Sequence, residues 1–195
     1  LEGRKISYTV QPKEPELAKK ATEYFRVNQH RLQLGNIGLE IKKKDGSLAT
    51  AGDIKNINQQ LDMWTGIITS SFTVEDVPVK VNTTCNQQTD VVAFQIESSL
   101  LADKRISIRI RFPYPNGQWK DVGNNWSNET AHSSTASMGA NSTFINRKLN
   151  DFNYKLSLYW SGKSSFEEKE KHYFLITPQA AKNNLFELTC LFEGE

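Results

Sequence analysis

Apolar side chains fall on every second position in run after run of this chain. Ile106, Ile108, Ile110 and Phe112 alternate with Ser107, Arg109 and Arg111, which predicts a half-buried strand with one wet face. Phe186, Leu188, Cys190 and Phe192 alternate with Glu187, Thr189 and Glu193, and Leu191 on the second face predicts partial cover on both sides. Tyr154 to Trp160, Ile68 to Val74, Val77 to Val81 and Val92 to Ile96 repeat the period. Glu75 and Asp76 fit a tight hairpin turn between two of these runs, and Ser164 to Glu168 with Tyr173 to Thr177 predict another hairpin. Asp45-Gly46 marks a turn after Ile37 to Lys43, because that dipeptide accommodates positive φ cheaply.

One segment carries the helical period instead. Leu17, Ala21, Tyr24, Phe25 and Asn28 stand three and four residues apart after Pro12 and Pro15, with Lys19, Lys20 and Glu23 on the other face. One N-terminal helix beside about ten or more antiparallel strands predicts an all-β, two-layer β-sandwich, since sheets of that number pack in two layers. There is no internal repeat to indicate a propeller or solenoid.

A long polar loop interrupts the pattern from Tyr114 to Ser142. It holds Trp119 and Trp126, half of the four tryptophans, among Asn124, Asn125, Glu129, His132 and a Ser, Thr, Ala and Gly-rich tail. A connection of this length in a small domain is usually functional or mobile. Indole faces stack on the apolar C–H faces of sugars, whose hydroxyls need amide and carboxylate partners. Trp126, His132, Glu129, Trp119 and Asn125 are therefore candidate carbohydrate contacts. The alternative is that both tryptophans plug the sandwich edge and residues 133–142 stay disordered.

Composition narrows the function classes. With 24 Lys and Arg against 22 Asp and Glu over 195 residues, the charge is +2, and Lys42-Lys43-Lys44 is the densest basic cluster. That argues against a nucleic-acid partner. No stretch reaches the roughly 18 to 20 apolar residues of a membrane helix. The 37% of hydrophobic residues rises to about 43% with the 11 glycines, slightly below the usual globular fraction of about 45 to 50%. The start at Leu1 predicts a processed or excised chain.

Chemistry-bearing residues are sparse. Cys85 and Cys190 are too few for a disulfide scaffold or a thiolate zinc site; one bridge or two buried thiols are both open, and the strand-like surroundings favour thiols. His30, His132 and His172 are too dispersed for a local metal motif, and no metal or cofactor is expected. His30 and Arg31, just past the helix, could contact a ligand or hydrogen-bond the helix C-terminus, and capping is the commoner role. Trp64, between Asp62 and Gly66, is expected in the core rather than as a ligand platform. Asn82, Asn125, Asn128 and Asn141 begin Asn-x-Ser/Thr triplets, which matter only in a eukaryotic secretory setting. Glu129, Asp121, Asp62 and Asp53 sit in no catalytic motif. Gly35-Asn36-Ile37-Gly38 precedes a strand and so lacks the helix amides of a phosphate loop.

Several blocks resemble the N-terminal β-sandwich domain of bacterial six-hairpin glycoside hydrolases. They are His30 to Leu39, Gln60 to Phe72 with its Leu61-Asp62-Met63-Trp64-Thr65-Gly66 core, Val77 to Cys85, Arg111-Phe112-Pro113-Tyr114-Pro115, and Asn125-Trp126 with His132. The resemblance covers the chain from about Tyr24 to its end. It implies a single sandwich domain over residues 1–195, without catalytic residues of its own, cut from an enzyme whose C-terminal barrel of paired helices carries the acid and base. It further implies that Trp126 and His132 stand at the rim of the sugar site, and that the parent works in the periplasm or outside the cell.

Three functions fit these readings. The first is an accessory sandwich that supports the helical barrel and shapes its carbohydrate entrance. The second is an independent carbohydrate-binding module using Trp119 and Trp126. The third is a structural surface sandwich without sugar chemistry.

Overall fold

The computed structural model describes residues 16–26, 33–115, 123–179 and 182–194. It is an all-β protein of two antiparallel sheets, with one α-helix, α1 (Glu16–Arg26), among the described residues. The smaller sheet has the order β1-β6-β11-β10, formed by β1 (Asn36–Ile41), β6 (Ile106–Arg111), β11 (Tyr173–Pro178) and β10 (Ser164–Glu170). The larger has the order β2-β3-β4-β5-β12-β9-β8-β7. Its strands are β2 (Ile54–Asp62), β3 (Ile67–Val74), β4 (Val77–Cys85), β5 (Val91–Glu97), β12 (Leu185–Gly194), β9 (Phe152–Trp160), β8 (Ser142–Leu149) and β7 (His132–Met138).

Alternation decides which side chains lie between the sheets. Ile106, Ile108 and Ile110 from β6 meet Phe174 and Ile176 from β11 on one layer. Val79, Ile96, Phe186, Leu188, Cys190, Leu156, Leu158 and Ile145 form the facing layer. Each of these is fully or almost fully buried, and removing such apolar area from water is the main drive to fold. The second faces of the same strands are mostly polar, with Ser, Arg, Glu and Thr residues, but Leu175 on β11 and Leu191 on β12 are at least partly covered there.

The turns follow local chemistry. Asp45 Oδ1 accepts from the Ser47 amide at 2.9 Å and the Ser47 hydroxyl at 2.7 Å, while Gly46 takes φ +84. Glu75 and Asp76 close the β3–β4 hairpin at φ 49 and 64, the signature of a two-residue primed turn. Gly38 lies opposite Arg109, whose Nη2 would stand 3.0 Å from a Cβ there, so the missing side chain makes room for the guanidinium.

The expected loop from Tyr114 to Ser142 is only partly a loop. Residues His132 to Met138 form the edge strand β7, paired in unbroken register with β8 from His132 opposite Leu149 to Met138 opposite Thr143. Ser133 to Met138 are thus strand rather than a disordered tail. Trp64, expected in the core, is instead 98% exposed in the turn between β2 and β3. The turn is braced by Asp62 Oδ1, which accepts from the Trp64 amide, and the indole packs on nothing. The helix matches its expected position; His30, Arg31, Trp119 and Asp121 lie outside the described residues.

Candidate functional site

The described part of the Tyr114 to His132 connection is fixed at both ends. The Tyr114 amide donates to the Asn125 carbonyl at 2.9 Å. Asn125 Oδ1 accepts from the Ser127 amide at 3.0 Å and from its hydroxyl at 2.8 Å, an Asx turn that holds the intervening residue. That residue is Trp126, 37% exposed, with the Arg111 guanidinium 4.4 Å from its ring centroid. Arg111 also lies 4.8 Å from the Tyr173 ring. One cation thereby joins two aromatic rings, an arrangement favoured by the negative faces of both.

Tyr173 anchors this stack to the sheet. Its hydroxyl donates to Glu40 in a short hydrogen bond, and Lys169 Nζ donates to the other Glu40 oxygen at 3.0 Å. Burial pushes the Tyr173 hydroxyl up to about 12, reinforced by the Glu40 carboxylate. Burial by itself would raise the Glu40 carboxyl, but the hydrogen bonds from Tyr173 and Lys169 outweigh it and hold the group below its usual range.

Behind the surface stack lies a polar cluster inside the sandwich. Arg147 on β8 points inward and is 1% exposed. Its Nη1 donates to the Ser133 carbonyl at 2.8 Å and to the Ser134 hydroxyl, and its Nη2 donates to His132 Nδ1. The guanidinium covers the Phe112 ring at 4.5 Å, and Nε lies 3.4 Å from the Tyr154 hydroxyl, which donates to the Leu34 carbonyl at 2.6 Å.

His172 completes the cluster from the turn between β10 and β11. Its Nε2 donates to the Glu129 carbonyl at 2.9 Å, leaving Nδ1 to accept from the Ser134 hydroxyl at 2.7 Å. The two imidazoles stack with centroids 3.8 Å apart, and Tyr114 covers His132 at 5.4 Å. Burial, then the Arg147 charge and His172, push His132 down to about 3. Burial lowers His172 as well, partly offset by the Glu129 carbonyl. Both rings are neutral at pH 7, each offering a lone pair to the cluster.

The structure thus separates the sequence candidates by depth. Trp126 and Glu129 lie at the surface and Asn125 is half-buried below them, whereas His132 is 8% exposed with Nδ1 committed to Arg147. Glu129 contributes its backbone carbonyl to the cluster, and its carboxylate is exposed. Trp119 lies outside the described residues. Sequence reading missed Arg147, Ser134, Tyr154, Arg111 and His172 as members; the one signal was Arg147 standing in register with Thr143, Ile145 and Leu149 on a strand face that should be apolar.

This arrangement locks a surface segment onto a sandwich. Its two histidines have their Nδ1 lone pairs occupied, His132 by Arg147 and His172 by Ser134. No group of three or more His, Cys, Asp or Glu that could hold a metal ion occurs among the described residues.

No family model matches the chain, and no curated protein matches it. Among solved structures, it is similar to a human-microbiome protein described as a kojibiose phosphorylase, with TM-score 0.54 and 11% sequence identity. The similarity covers 80% of this chain and 22% of that protein. At that identity the likeness establishes a shared β-sandwich fold, carried in the larger protein by less than a quarter of its length.

Proposed function

We propose that this chain is a non-catalytic β-sandwich domain of a carbohydrate-active enzyme, of the glycoside hydrolase type, whose acid and base residues lie in a helical barrel of the same polypeptide. The observation that carries the reading is the unequal coverage: the likeness spans 80% of this chain but 22% of a protein named for sugar phosphorolysis. The polar cluster supports it, because it orders the Asn125 to Glu129 segment without assembling reactive groups. In this role the sandwich supports the barrel, and Trp126 with Glu129 shapes the carbohydrate entrance from a rigid base. A parent enzyme of this kind acts on polysaccharide fragments in the periplasm or outside the cell.

The test compares the 195-residue chain with a polypeptide that includes the barrel, on a panel of glycosides with water or phosphate as acceptor. The short chain is expected to give no turnover and the long one to give turnover. Turnover by the 195 residues alone, abolished in Glu129→Gln, would overturn the reading.

A further inference from the structure

The outer face of the larger sheet carries a row of side chains that the site above does not use. Gln60, Thr69, Asn82, Gln95 and Glu187 stand directly opposite one another on β2, β3, β4, β5 and β12. Five strands at a spacing of about 4.8 Å make a row roughly 19 Å long. Four of its members form a single directed chain of hydrogen bonds. Thr69 Oγ1 donates to Asn82 Oδ1 at 2.9 Å, Asn82 Nδ2 to Gln95 Oε1 at 3.2 Å, and Gln95 Nε2 to Glu187 Oε1 at 3.1 Å.

That direction fixes both amides. Each uses one of its two N–H donors and one of its two carbonyl lone pairs within the row, which leaves one of each for an incoming ligand. The amide planes are held before any ligand arrives, so little side-chain freedom remains to be lost on binding. Gln60, Thr69, Asn82 and Gln95 of the row floor a groove of about 560 Å³, lined besides by Asp62, Thr65, Lys80 and Thr84 and by the apolar Ile67, Ala93 and Phe94.

One end of the groove is the turn from Asp62 to Ile67. Asp62 Oδ1 accepts from the Trp64 amide at 2.9 Å and the Thr65 amide at 3.4 Å, so the turn is braced from within. Its Trp64 ring touches almost nothing in the protein. Trp64 thus stands in water between Asp62 and Thr65, two residues that line the groove.

We propose that this groove binds a neutral oligosaccharide, laid across the strands with Trp64 stacking on a sugar ring at one end. Sugars present what the groove lacks: paired hydroxyls that both donate and accept, and apolar C–H faces for the indole. The amides Asn82 and Gln95 are uncharged, and the groove's charged lining is one residue of each sign, Asp62 and Lys80. That suits neither the phosphates of nucleic acid nor an acidic glycan. The groove lies on the opposite face of the larger sheet from Arg147 and His132, so the proposal does not rest on the accessory-domain reading and survives or fails apart from it.

Titration calorimetry of the 195-residue chain with neutral gluco-, manno-, galacto- and xylo-oligosaccharides of two to six units tests it. Saturable binding to at least one of them, with Kd below about 1 mM, is expected. Asn82→Ala and Gln95→Ala should each weaken it about tenfold, as loss of one ligand hydrogen bond implies. Trp64→Ala should weaken it as much; its ring is unburied, so that variant keeps its fold and its melting temperature. Met138→Ala, on the exposed edge strand, should leave binding unchanged. No saturable heat with any sugar, or binding indifferent to Trp64→Ala and Gln95→Ala, would overturn the proposal. So would binding of charged glycans or peptides alone.

Discussion

Arg147 donates from Nη2 to Nδ1 of His132, so a buried cation is held by a neutral imidazole where a carboxylate would be the usual partner. The other acceptors on the guanidinium are the Ser133 carbonyl, the Ser134 and Tyr154 hydroxyls and, at 3.4 Å, Nδ1 of His172. The arrangement has a chemical condition. Protonating His132 would remove the lone pair that accepts from Arg147 and set a second cation against the first.

Acid stability should therefore carry the signature of His132. In the unfolded chain it takes up a proton near its ordinary value of 6.5, and in the folded chain at about 3. Its contribution is complete above pH 6.5 and is lost progressively as the pH falls from 6.5 toward 3, because there the unfolded state binds the extra proton. His172, lowered in the same direction, adds to the loss. His132→Asn places Oδ1 near the position of Nδ1 and keeps an acceptor for Arg147 while removing the titration. Urea unfolding between pH 7 and pH 4 should show a shallower decline in the variant than in the parent. Glu40 and Asp62, whose carboxyls are held below their usual range, are common to both proteins and cancel in the comparison. Parallel curves would contradict the assignment.

Shortening Arg147 should be among the most damaging single changes in the sandwich. Arg147→Ala removes a fully buried side chain, leaves a cavity beneath Phe112 and strips His132, Ser133 and Ser134 of their donor. Cavity and unpaired acceptors together imply a loss of about 3 to 5 kcal/mol. Arg147→Met restores most of the volume but none of the hydrogen bonds, and should recover about 1 to 2 kcal/mol of it. Urea midpoints of the two variants measure the difference; a cost below about 1 kcal/mol for Arg147→Ala would mean that the cluster contributes little.

The same cluster explains what the sequence concealed. Strands such as Ile106 to Arg111 were legible because their buried positions are apolar and their wet positions polar. On β7 the inward positions are His132, Ser134 and Ala136, and the outward ones Ser133, Thr135 and Ser137. Polar and small residues occupy both faces, so the period of two vanishes although the strand is present. Inward His132 and Ser134 are polar because Arg147, opposite Ser134, needs acceptors. Trp126, Asn125 and Glu129 were visible as unusual residues on a polar segment; their supports were not, because Arg111, Arg147 and His172 come from three other strands or turns. Trp64 misled for the converse reason: burial is the usual fate of tryptophan, whereas this one sits in the turn between β2 and β3 and stands in water.

The two cysteines should behave as one accessible and one silent thiol. Cys85 is exposed and Cys190 buried, and neither is paired. Cys85 stands opposite Val92 on β5, and Val92 stands opposite Cys190 on β12. Two strand spacings, about 9.6 Å, separate them, which exceeds the Cα reach of a disulfide. Burial pushes the Cys190 thiol up to about 12, so almost no thiolate exists at pH 8 to react. Ellman's reagent should therefore titrate one thiol rapidly in the folded protein and two after unfolding in urea. A titre of zero in the unfolded, unreduced protein would reveal a bridge and contradict the placement.

The β3–β4 hairpin separates backbone strain from side-chain bonding at adjacent residues. Glu75 and Asp76 both occupy positive φ, at 49 and 64, where a Cβ costs about 1 to 2 kcal/mol unless the residue is Gly or, in part, Asn or Asp. Asp76 is exposed and its φ is its main burden. Asp76→Gly relieves that strain but loosens the unfolded chain, an opposing cost of about 0.4 to 1 kcal/mol. The balance is a gain of roughly 0.5 kcal/mol, or a rise of about 1 to 2 °C in Tm for a chain of this size. Glu75 has the same φ to relieve but more to lose. Its carboxylate accepts from the Lys44 amide at 2.9 Å and from Arg105 Nη2 in a short, partly buried ion pair. Hydrogen bonds to charged groups contribute about 1.5 to 3 kcal/mol, so Glu75→Gly should lower Tm where Asp76→Gly raises it. Thermal unfolding of the two variants decides the matter by sign: if both rise, the Glu75 link to Arg105 adds no stability, and if both fall, the turn is not strained at Asp76.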